Sequence, residues 1–233
     1  MAIIEFRNVS KKYLMGEVTI NALHDASFTI NKGELVCILG PSGAGKTTCL
    51  NILGGMDSPT FGDVIVDGVN ISSLKGKNII KYRRKDIGFV FQFYNLVSNL
   101  TAIENVELAV QLTKDHLEPK EALKLVGLEN RLNNFPSQLS GGEQQRVAVA
   151  RAIAKHPKVL LCDEPTGALD YKTGKQILAL LQDCARKNNM TVVIVTHNSA
   201  IKDMADKVIH FKNGTVTKIE INKNPTPIEM IEW

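Results

Sequence analysis

The segment Gly40-Pro41-Ser42-Gly43-Ala44-Gly45-Lys46-Thr47 constrains this chain more than any other stretch. It meets the pattern G-x-x-x-x-G-K-[ST] at every fixed position. The apolar run Leu35-Val36-Cys37-Ile38-Leu39 before it reads as a buried strand, and Thr48-Cys49-Leu50-Asn51-Ile52-Leu53 after it reads as the first turns of a helix. Glycines in such a loop let backbone N–H groups converge on an anion without Cβ clashes. The helix start adds unsatisfied N–H groups and a positive dipole end. Lys46 can then reach the outer phosphates of a nucleotide, and the Thr47 hydroxyl can ligate a hard cation.

A second run, Val159-Leu160-Leu161-Cys162-Asp163-Glu164, ends four apolar residues in two acids. That places carboxylates at the C-terminal edge of a strand, where α/β sheets bind ligands. Asp163 can hold Mg²⁺, and Glu164 can serve as general base on an attacking water. A third run, Leu139-Ser140-Gly141-Gly142-Glu143-Gln144-Gln145-Arg146, opens a small-residue helix with capping-box spacing between Ser140 and Glu143. Glycine is a poor helix former in a first turn, so the pair Gly141-Gly142 is expected to mark a close approach to the backbone, a second anion cradle.

Strand-like segments at Ile3–Phe6, Ala26–Ile30 and Val64–Val66 come first, with a loop around Gly16 and a turn at 31–33. Ile87–Phe91 reads as a buried strand, and Thr101 opens a helix by capping box with Glu104. Residues 101–140 are expected to be helical, broken at Pro119 and Pro136. Strand and helix then alternate through Val159–Cys162, Thr173–Lys187, Thr191–Val195, Asn198–Ala205 and Lys207–Phe211, with Ile177, Leu181 and Cys184 on one helix face. The alternation predicts an α/β fold with a mostly parallel sheet. At 233 residues the chain can bury a sizeable core. Its net charge of +4 is mild and selects no partner class. No stretch approaches a bilayer span, and the N-terminus lacks a signal-peptide pattern. The four cysteines form no C-x-x-C pair and are expected to be small buried hydrophobes.

Together these motifs resemble the ATP-binding cassette ATPases. Gly40 to Thr47 is similar to the family's Walker A loop, Val159 to Glu164 to its Walker B strand, and Leu139 to Gln145 to its signature. Tyr13 stands where the family places an aromatic under adenine. Gln92 matches the Q-loop glutamine, Ala168-Leu169-Asp170 the D-loop, and His197 the switch histidine. The resemblance implies a P-loop NTPase with an N-terminal antiparallel β subdomain and a helical subdomain at about 95–155. One domain would span 1–221, with a tail at 222–233. It further implies ATP and Mg²⁺ as cofactors, with ATP held by Tyr13, Gly40, Pro41, Ser42, Gly43, Ala44, Gly45, Lys46, Thr47 and Thr48. Thr47, Gln92 and Asp163 would hold the metal, and Glu164, His197 and Gln92 would be catalytic. Ser140, Gly141 and Gly142 would complete the ATP site of a partner in an ATP-dependent homodimer, and Asp170 would also be a nucleotide-binding residue.

Lacking a membrane segment, the chain resembles a subunit whose permease is a separate polypeptide, placing it in the cytoplasm on the inner face of the cell membrane. The stretches Ile87–Leu96, Leu100–Val106 and Pro165–Asp170 resemble the lipoprotein-release and macrolide-export group. Phe93 and Tyr94 are candidates either for a permease contact or for packing at the subdomain joint. The alternative is a soluble cassette ATPase acting on nucleic acid or the ribosome, which the basic residues Lys75, Lys77, Lys81, Arg83, Arg84 and Lys85 could serve. No aromatic stacking platform accompanies them, so no nucleic-acid partner is expected. The tail after Ile221 is weakly patterned.

Overall fold

The computed structural model describes residues 1–111, 113 and 115–232, the side chain of Met15 excepted. Two sheets organise the chain. Strands β1 (Ala2–Met15) and β2 (Val18–Asn31) form a long antiparallel hairpin, and β4 (Phe61–Val66) and β5 (Val69–Asn70) extend it in the order β2-β1-β4-β5. The second sheet runs β10-β9-β3-β8-β7-β6. Its strands β3 (Leu35–Leu39), β6 (Ile87–Val90), β7 (Val159–Asp163), β8 (Thr191–Thr196) and β9 (Lys207–Lys212) are parallel. Only the edge strand β10 (Thr215–Ile221) runs against its neighbour.

The continuous apolar runs of the parallel strands follow from burial on both faces. Leu35, Cys37 and Leu39 of β3 join one apolar layer, while Val36 and Ile38 join the other. The same alternation divides Leu160 and Cys162 from Val159 and Leu161 on β7, and Val192 and Ile194 from Val193 and Val195 on β8. On one face lie α5 (Gly141–Ile153) and α6 (Tyr171–Asn188), with α3 (Ala102–Val110) and α4 (Pro119–Leu125) packed on α5. On the other, α1 (Lys46–Leu53) shares a layer with Ile4, Phe6, Val9 and Ile30 of the antiparallel sheet. Leu50 is fully buried there, and truncating it to Ala would cost about 2–5 kcal/mol. Phe28 stacks on Phe6 at 4.4 Å and meets Phe211 edge-on at 6.3 Å, joining the two sheets.

The structure adjusts several sequence expectations. The first two strands are each 14 residues long, because hairpin pairing extends well past the apolar cores Ile3–Phe6 and Ala26–Ile30. In the stretch 101–140, Pro119 starts α4 at its first turn, where its missing N–H costs nothing, and Pro136 starts a 3-10 turn. Leu112 and Lys114, within that stretch, lie outside the described residues. Ser199–Met204 is a 3-10 segment. Ile177, Leu181 and Cys184 form a buried stripe, and the four cysteines are buried and free. The basic cluster falls largely on a further helix, α2 (Lys77–Lys85), anchored by buried Tyr82, whose hydroxyl donates to Leu53 O at 2.6 Å. The tail is docked: Ile228 and Ile231 are buried, Gln182 of α6 brackets Thr226 O and Ile228 N, and Lys175 donates to Glu229 O at 2.8 Å. Trp233, the last tail residue, lies outside the described residues.

Candidate functional site

Strands β3, β7 and β8 end at a common edge, and a cavity of about 440 Å³ opens there. Its walls are Ile20, Asn21 and Ala22 of β2, the loop and helix start Ser42–Thr48, and Gln92, Asp163, Glu164 and His197. The loop reaches this shape through its glycines. Gly43 and Gly45 have φ of 75° and 96°, left-handed values that favour glycine. Gly45 is also the N-cap of α1 and offers no side chain to the first-turn N–H groups. Lys46 is buried, and its Nζ donates to Gly40 O at 2.8 Å and Pro41 O at 3.0 Å. The ammonium is thereby pinned under the loop it serves.

Thr47 Oγ1 donates to Asp163 Oδ1 at 3.4 Å. Burial raises the Asp163 carboxyl above the ordinary range, and the neighbouring Glu164 charge adds to the rise. The Thr47 hydrogen bond and the Lys46 charge oppose it. Glu164 follows in a left-handed turn, φ 45°, with its N–H on Val195 O at 2.9 Å. That conformation costs about 1–2 kcal/mol in a residue with a Cβ, and such strain concentrates at functional sites. Two donors then fix the carboxylate: Thr196 Oγ1 to Oε2 at 2.9 Å and His197 Nδ1 to Oε1 at 2.8 Å. The His197 side chain stays 70% exposed. Gln92 reaches the same turn, since a Cβ on Gly167 would sit 3.0 Å from Gln92 Nε2.

The other expected site residues stand apart from this cavity wall. Tyr13 is tied to its surroundings: its hydroxyl donates to Asp57 Oδ2 at 2.7 Å, and Lys11 Nζ lies 4.9 Å from the ring centroid. Gly40 and Pro41 support the loop from behind through Lys46. Ser140 and Asp170 are exposed helix caps, of α5 and α6. Ser140 and Glu143 complete the expected capping box, and Glu143 also pairs with Arg131 at 3.0 Å. The glycines beside them answer to their own chain. A Cβ on Gly142 would collide with Thr173 Cγ2, and one on Gly141 would lie 2.7 Å from Tyr94 Oη. Neither has a left-handed φ.

Phe93 and Tyr94 differ in their surroundings. Phe93 is 73% exposed, whereas Tyr94 packs toward Gly141 and its carbonyl accepts from Arg151 Nη2 at 2.8 Å. Sequence reasoning missed Ile20, Asn21 and Ala22, because only the register of the β1–β2 hairpin brings them to the loop. It also missed the fully buried Gln145, which the motif presents as one more polar residue.

The family profile described as ABC transporter matches residues 23–167. The lipoprotein-releasing system ATP-binding protein LolD of Syntrophotalea carbinolica is 43% identical over 93% of this chain and 97% of its own. The macrolide export ATP-binding/permease protein MacB of Pectobacterium atrosepticum is 43% identical over 92% of this chain and 34% of its own. The fold superimposes with a TM-score of 0.88 on the Methanocaldococcus jannaschii cassette MJ0796, a dimer in a post-hydrolysis state bound to ADP and Pi. That likeness covers 95% of this chain and 99% of the other, at 43% identity. A phosphate loop on a parallel-sheet edge, two acids beside it and these relatives converge on one conclusion: the chain belongs to the ABC transporter family, as an ATP-binding subunit with ATPase activity.

Proposed function

We propose that Glu164 is the general base of ATP hydrolysis in a head-to-tail dimer that drives a separate membrane permease of the lipoprotein-release or macrolide-export type. The observation that carries the reading is the doubly held Glu164 carboxylate at the cavity edge. A base must be aimed before it is useful, and both of its oxygens are fixed by donors from the end of β8 and the residue after it. Ser42–Thr48 cradle the phosphates, with Lys46 supplying the cation. The cluster of oxygen donors on Thr47, Asp163 and Gln92 suits a hard cation. These residues would hold Mg²⁺, which when bound neutralises charge on the outer phosphate oxygens. His197 holds Glu164 and would hydrogen-bond the γ-phosphate of bound ATP.

Asp170 lies off this cavity, and so do Ser140, Gly141 and Gly142, as expected of groups that complete the partner's site. The dimeric state of the Methanocaldococcus jannaschii cassette supports that arrangement. Exposed Phe93, beside Gln92, is the surface offered to the permease, and LolD and MacB support the type assigned. No helix among the described residues is long and apolar enough to cross a membrane, so attachment runs through that permease, on the inner face of the cell membrane.

The test is Glu164→Gln, which keeps shape and loses the base. Phosphate release should fall at least about a hundredfold, the scale of general-base catalysis. Size-exclusion chromatography with light scattering should then show an ATP-dependent dimer. Wild-type turnover, or a monomer at saturating ATP, would sink the proposal.

A further inference from the structure

Gln145 lies in α5, one turn after the Ser140 cap, and is fully buried. Its Nε2 donates to Pro165 O at 2.9 Å and to Phe91 O at 3.4 Å. Its Oε1 is buried with no hydrogen-bond partner among the described residues. An apolar residue of the same length at this position would leave both carbonyls without this donor. An amide there carries an orphaned oxygen, an arrangement proteins seldom keep without a use for the donor.

The two carbonyls show the use. Phe91 directly precedes Gln92, and Pro165 directly follows Glu164. These two segments are chain-distant, and they come together where the Gln92 side chain lies against the Glu164–Gly167 turn. The same helix grips the Gln92 loop again through Arg151, which donates to Tyr94 O at 2.8 Å and Asn95 O at 2.6 Å. Tyr94 and Asn95 are both left-handed, φ 57° and 50°, so this loop keeps its shape only while it is held.

We propose that Gln145 is a positioning residue for hydrolysis: its amide pins the backbone on both sides of the site to the signature helix, so that Gln92 and Glu164 take up their mutual geometry only when that helix is seated. The assignment rests on the roles proposed above for Gln92 and Glu164. It makes the signature helix a sensor as well as a cap. A shift of its N-terminal turn moves Phe91 and Pro165 together, and with them the groups beside the γ-phosphate.

Gln145→Met in the full chain is the test, with Gln145→Leu as a second variant that likewise cannot donate. Met removes the orphaned oxygen but leaves Phe91 O and Pro165 O without this donor, so the melting temperature should fall modestly while the chain still folds and binds ATP. The kcat should drop between about tenfold and a hundredfold, the range for small misplacement of reacting groups. The KM for ATP should stay close to wild type, as should the ATP-dependent dimer formed in a Glu164→Gln background. Turnover near wild type in the Met variant overturns the inference. So does a fall in kcat accompanied by a raised KM and a lost ATP-dependent dimer in both variants, because that pattern is structural support alone. Failure of the underlying site reading looks different: Glu164→Gln itself would then hydrolyse ATP at the wild-type rate.

Discussion

The phosphate loop and the signature turn are both short glycine-rich runs at a helix start, yet they use glycine for opposite reasons. In the loop, Gly43 and Gly45 supply left-handed backbone, and α1 begins with no side-chain cap, which leaves its first N–H groups facing the cavity. In the signature, Gly141 and Gly142 have ordinary backbone angles, and α5 begins with a full capping box. There glycine makes room for Tyr94 and Thr173 of the same chain. One run uses glycine to set its backbone. The other uses it to admit side chains of the same chain, so that one helix start sits firmly against the Gln92 loop and α6. Similar glycine patterns therefore carry different tolerances, which substitution can expose.

The largest expected effect is at the loop. Lys46→Ala should weaken ATP binding by at least about a hundredfold, since Lys46 is the cation the loop supplies to the outer phosphates. Calorimetric titration measures it, and unchanged affinity would remove the distinction between the two turns. The next effect separates them by rescue. Gly142→Ala should destabilise the fold by about 1–3 kcal/mol through overpacking against the Thr173 methyl. Thr173→Ser, which deletes that methyl, should restore most of the loss in thermal unfolding. No side-chain replacement should rescue Gly45→Ala, because its obstacles include the main-chain Ala22 O as well as its own left-handed φ.

The smallest effect is electrostatic. The Asp163 carboxyl is raised above the ordinary range chiefly by burial, so in the ligand-free protein acid protonates it before Glu143. A raised folded-state pKa also means that ionised Asp163 costs the fold stability at neutral pH, a cost that disappears as the group protonates. Glu143 is held below the ordinary range, first by the Ser140 backbone N–H and further by Arg131. Its stabilisation is present above its unfolded pKa and disappears only as pH falls through the lower folded value. Carboxyl resonances of the ligand-free protein, followed by NMR down a pH series, should titrate in that order. The reverse order breaks the electrostatic side of the comparison.

How far these features can be read from sequence depends on their range along the chain. Gly40–Thr47, Val159–Glu164 and Leu139–Arg146 are local patterns whose chemistry and secondary structure lie in neighbouring residues, so strand ends and helix starts were legible. The Ser140–Glu143 capping box was legible for the same reason. Ile20–Ala22 reach the cavity through hairpin register, and β1–β2 pairing contains several irregularities that no local pattern announces. The collision waiting at Gly142 involves Thr173, and the Gln145 bonds involve Phe91 and Pro165, so these are facts about packing. The tail was unreadable because Ile228 and Ile231 find their places only against the rest of the fold, with α6 contributing Gln182.

The position of β3 sets a timetable. This strand carries the phosphate loop, and its sheet neighbours are β8 and β9, which begin at Thr191 and Lys207. During synthesis the loop is made well before either flanking strand, and nothing pairs with β3 until Thr191 and the residues after it have left the ribosome. Pairings of such long sequence separation are slow to form. A nascent chain therefore carries the complete phosphate-binding motif for a long stretch of translation without the sheet that holds it, and its capacity to take up ATP waits on the arrival of β8 and β9.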